Sequence, residues 1–182
     1  MADQHELPDA LRRGATDPGA DPAAAVARGL GLLAEVRAPL VDGLAAGLGR
    51  WLTERAGGVL TVWRPTAATE AARASLADAA AAATRRVVAE VGALLDLDPA
   101  EQRATPLSIV RSAHREPGAV LAELGVPHMA RDSFAVRADP GDVYALAPPD
   151  LAAVDPELGP LLLAWGVGKA TVLRARAAGA GM

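Results

Sequence analysis

Apolar side chains recur at helical spacing along two long stretches of the chain. The first opens at Asp21-Pro22, which pairs a helix N-cap with a proline at the first helical position. From there Val26, Leu30, Leu33, Leu40, Leu44, Leu48 and Trp51 recur mostly 3–4 or 7 residues apart. This spacing predicts one amphipathic helix over 22–56, or two broken near Pro39. Gly57-Gly58 reads as its end, and the run Val59 to Trp63 as a buried extended linker, since a lone strand would have nothing to pair with.

The second stretch begins at Thr66, an N-cap candidate, with Glu70 near the positive helix end. Leu76, Ala80, Ala83, Val87, Val91 and Leu94 then form one stripe, with Arg73, Asp78, Arg85 and Glu90 opposite. The pattern predicts a helix over 66–96 whose seam needs another helix against it. Gly43 and Gly47 on the first helix form a small-residue face for close helix packing.

The remainder is choppier. Thr105-Pro106 begins a short helix, and Pro117 ends it and opens another that closes at Gly125 in the left-handed C′ position. A Pro-Gly turn at Asp139 to Asp142 and a short turn through Leu151 and Val154 follow. Leu161, Leu162, Trp165, Val172 and Leu173 mark a terminal helix over 158–176, apolar on nearly all sides before Lys169 and therefore expected to be central and buried. The fold class is all-α: two long antiparallel helices, several short helices and a buried C-terminal helix. Residues 1–21 and 177–182 are expected to be disordered tails around a single domain over 22–176.

Composition narrows the function classes. The 182 residues suffice for one core. The 51% apolar content is inflated by alanine, and aromatics are only 3%, so the core rests on Leu and Val. The absence of cysteine excludes disulfides, thiolate nucleophiles and Cys-type metal sites. No signal peptide and no membrane-spanning run is visible, which points to a cytoplasmic protein. The net charge of −4 argues against general nucleic-acid binding. Lys169 is the only lysine among the 18 basic residues, as in proteins from GC-rich bacterial genomes.

Candidate chemistry is sparse. In "PLSIVRSAHREP" (106–117), Arg111, His114 and Arg115 are i, i+3 and i+4 and would share a helix face. Two guanidinium groups and an imidazole suit a carboxylate or phosphate. The bland alternative is a solvated face paired with Glu116, Asp132 or Asp142. His114, Glu116, His128 and Asp132 would make a metal site only if their segments converge, and His5-Glu6 lacks the second histidine of a zinc-protease motif. Gly168-Lys169 resembles a phosphate-binding loop, but Leu163 and Ala170 stand where that loop needs glycine and a hydroxyl. The acidic residues from Asp132 to Glu157 read as turn and cap residues. Lys169, Arg174 and Arg176 form a basic end that could touch a nucleoprotein.

No catalytic motif is found, and no catalytic residue, metal site or cofactor is assigned. The leading expectation is a non-enzymatic helical interaction module, an adaptor or regulatory subunit with a protein partner or a second copy. The alternative is recognition of a small anionic ligand through Arg111, His114 and Arg115.

Overall fold

The computed structural model describes residues 21–63, 70–112, 116–125 and 151–180. Six helices and no strand occur among them: α1 (Pro22–Trp63), α2 (Glu70–Leu95), α3 (Pro106–Ser112), α4 (Glu116–Glu123), α5 (Leu151–Val154) and α6 (Leu158–Ala180). The all-α reading holds.

α1 is the central element, packed along both α6 and α2. Its pairings run in opposite order to those of α2: Gly57 faces Leu76, Gly49 faces Thr84, and Arg37 reaches Asp96. The two long helices are therefore antiparallel, as expected. The same logic holds for α6, where Gly29 meets Gly168 and Gly43 meets Leu158.

The seam on α2 is buried along its whole length, and Leu40, Leu44, Leu48 and Leu52 of α1 are sealed from solvent. Arg73, Asp78, Arg85 and Glu90 are exposed. Thr84 is buried within α2, and its hydroxyl is satisfied by donating to the Ala80 carbonyl at 2.8 Å.

Three expectations for α1 and α6 change. First, α1 does not stop at Gly57-Gly58; of the two alternatives it is the single helix, running unbroken through Pro39 to Trp63. Pro39 and Glu35 are both exposed, so the Glu35 carbonyl that loses its partner lies on the wet side. Val36 and Leu40 on the other side hold the helix to the core. Gly57 is a packing glycine, since a Cβ there would come within 3.2 Å of the Leu76 Cδ2. Second, Val59 to Trp63 is helical, not an extended linker. Third, α6 buries only one face. Leu158, Trp165 and Val172 are buried on the α1 side, whereas Leu163 is 52% exposed. α6 also continues to Ala180, past the expected boundary at 176. At the other boundary α1 starts at Pro22 as expected, while residues 1–20 and the Thr66 cap lie outside the described residues.

Local signals set the helix ends. Asp21 accepts from the Ala23 N–H at 3.1 Å. Thr105 and Ser108 cap each other reciprocally, each backbone N–H donating to the other's hydroxyl at 3.2 Å. Gly125 ends α4 with a positive φ of 73°. Asp155 accepts from the Glu157 N–H at 2.8 Å at the start of α6. Among the described residues no helix is long and apolar enough to cross a membrane.

Candidate functional site

The helix carrying Arg111 ends at Ser112, and the next begins at Glu116. Arg111 thus occupies the last turn of α3, while His114 and Arg115 lie outside the described residues, as do His128 and Asp132. Glu116, a conceivable partner for that basic face, is engaged elsewhere. The Arg86 guanidinium on α2 donates to it at 2.8 Å and also approaches Glu123 at 3.7 Å. This clamp ties α4 to α2. Val110 of the same segment is fully buried and Ile109 packs against the core, but Leu107 points into a groove along α6.

That groove has a volume of about 630 Å³, within the ~300–1,000 Å³ range of ligand pockets. Its floor is the outer face of α6, where Gly159, Leu162, Leu163, Gly166, Val167, Ala170, Thr171 and Arg174 recur at alternating steps of three and one. Such steps keep residues on one side of a helix. From Gly159 to Arg174 the stripe covers 15 residue steps, or about 22 Å at ~1.5 Å per residue. Thr105, Pro106 and Leu107 stand on one wall, and Leu151 of α5 contributes to another.

The groove's charge is one-sided. Lys169 and Arg174 are the only charged residues lining it among the described residues. The Lys169 ammonium donates to the Gln102 carbonyl at 2.8 Å, so it is anchored to the turn after α2 and not to a carboxylate. Gln102 is buried; its amide N–H donates to the Leu97 carbonyl at 3.1 Å, and its Oε1 has no partner among the described residues. Arg174 is exposed and makes no ion pair among the described residues. Trp165 also lines the groove, with its indole N–H buried and unpaired among the described residues.

The basic end read from sequence is largely occupied. Arg176 forms a two-pronged pair with Asp98, at 2.6 and 2.9 Å. The guanidinium hydrogen bonds, with help from the Ala100 N–H, lower the Asp98 carboxyl from 3.8 to about 2. The pair pins the turn after α2 to the C-terminal part of α6. No group of three potential metal ligands occurs among the described residues, and Asp155 acts as a cap.

Sequence reasoning passed over the groove although a signal was present. Leu161, Leu162 and Leu163 are consecutive, so no single neighbouring helix can cover all three. Surplus apolar residues of this kind predict central burial, yet an outward groove satisfies the same pattern. No family model matches the chain, and no curated protein or solved structure shows significant similarity to it.

Proposed function

We propose that this chain is a non-enzymatic helical interaction module, an adaptor or regulatory subunit, whose working surface is the groove along α6. The carrying observation is the apolar floor on α6, where Leu163 is 52% exposed. The seam on α2 and the small face at Gly43 and Gly47 no longer argue for a partner. The first is covered by α1, and the second seats Val154 and Leu158 of the same chain. Among the described residues the groove is what remains open. Its lining has no histidine or carboxylate among the described residues, which supports docking over acid–base chemistry.

Site-specific photo-crosslinking tests this reading. A photoreactive amino acid replaces Leu163, or Glu90 on the solvated side of α2 as the control. A discrete adduct, formed with one protein or with a second copy at position 163 and not at 90, supports the proposal. No adduct, or equal labelling from both positions, refutes it.

A further inference from the structure

We infer that the occupant of the groove is an amphipathic α-helix from a partner protein, with carboxylates at the end that meets Lys169 and Arg174. This deepens the proposed function and rests on its reading of the groove as the working surface.

Shape argues for a helix. The floor is a straight stripe along about four turns of α6 at ~3.6 residues per turn, and it is open to solvent at Leu163. A rod can lie along such a floor, as amphipathic helices do in apolar grooves. Over Gly159 and Gly166 a Cβ would meet no atom within 4 Å. Among the described residues nothing occupies the space above both, and a partner backbone can approach there while Leu162 and Leu163 supply apolar area.

Charge gives the occupant its sign and polarity. Among the described residues the lining holds two cations and no acid. Lys169 spends one of its three hydrogens on the Gln102 carbonyl, and Arg174 has no ion partner among the described residues. Both lie toward the C-terminal part of the stripe, and the part from Gly159 to Leu163 carries no charge. A complementary helix is apolar along its length and acidic at one end. Complementary charges at an exposed rim contribute mainly orientation and association rate.

The test uses two fluorescein-labelled 18-residue model helices with leucines at i, i+3, i+4 and i+7 spacing. One carries two glutamates in its last turn and the other two lysines. Binding to the full chain is followed by fluorescence anisotropy at low salt. The glutamate helix is expected to bind about tenfold more tightly, from two exposed pairs worth up to about fivefold each. Arg174→Glu should remove or invert that preference. Leu163→Asp should weaken both helices more than about tenfold while circular dichroism stays unchanged, as loss of an apolar contact to a buried charge implies.

Equal binding of the two helices overturns the charge assignment and leaves the groove reading standing. If neither helix binds, as when another part of the chain fills the groove, both readings fall. If dodecanoate binds, is lost in Leu163→Asp, and neither helix binds, the occupant is a small amphiphile and the partner-helix assignment is wrong.

Discussion

Gly31 and Gly47 lie in the same helix, yet alanine should have opposite effects at the two positions. Replacing a helical glycine by alanine gains about 1 kcal/mol of propensity at either site. At Gly31 the new methyl meets nothing within 4 Å. Gly31→Ala should therefore stabilise by about 1 kcal/mol, or about 2–4 °C in Tm for a chain of this size. At Gly47 the methyl would overlap the Val154 carbonyl oxygen, and it would lie 2.9 Å from the carbonyl carbon and 3.1 Å from Cγ1. Two of those atoms are main chain and cannot swing aside. They belong to a turn closed by the Asp155 N–H donating to the Leu151 carbonyl at 2.9 Å. Val154 itself is 1% exposed, so displacing it also opens the core. Overpacking costs about 1–3 kcal/mol, and the upper end applies where backbone must move. Subtracting the propensity gain leaves a net loss of about 2 kcal/mol, and a gap of about 3 kcal/mol between the two variants. Urea unfolding with linear extrapolation resolves that gap. Gly92→Ala, with nothing within 4 Å, is the control on α2. If Gly47→Ala is as stable as Gly31→Ala, α5 does not sit against α1 as described.

Further outcomes follow from the same packing. Leu48→Ala empties a fully buried position and should cost about 2–5 kcal/mol by chemical denaturation. Thr105→Ala removes the hydroxyl that accepts from Ser108; it should cost about 0.5–2 kcal/mol in the same assay. The folded Asp98 carboxyl, at about 2, lies below its ordinary 3.8, so its stabilisation is complete above that ordinary value and is lost as pH falls from 3.8 toward 2. An NMR titration should place its midpoint near 2, and Arg176→Ala should raise it. For the sequence-derived anion face, inorganic phosphate should raise the Tm of the wild type more than that of an Arg111→Ala/Arg115→Ala variant. Equal shifts would remove that site from consideration.

The helices and most of their ends were legible because their causes are local. Asp21-Pro22, Thr105 with Ser108, and Gly125 act through hydrogen bonds or dihedral angles within a few residues, and the α2 stripe needs only a 3.6-residue period. The errors came where a neighbour decides. Gly57-Gly58 looks like a stop until Leu76 from α2 occupies the space, and Val59 to Trp63 looks extended until α1 carries it onward as helix. Pro39 is tolerated because it stands on the wet side of an otherwise well-buried helix.

The candidate site divides the same way. Composition and spacing by themselves established an all-α chain without cysteine chemistry, phosphate-binding loop or zinc-protease motif. They also showed that the C-terminal helix has more apolar surface than an ordinary surface helix. Which side of that helix stays open is a non-local matter. It depends on α1 taking one face at Gly29 and Gly168, and on Asp98–Arg176 and Lys169–Gln102 holding the turn after α2 against it. A run such as Leu161 to Leu163 states how much apolar surface needs cover; only the tertiary arrangement decides which part the described helices cover and which part, as at Leu163, stays exposed.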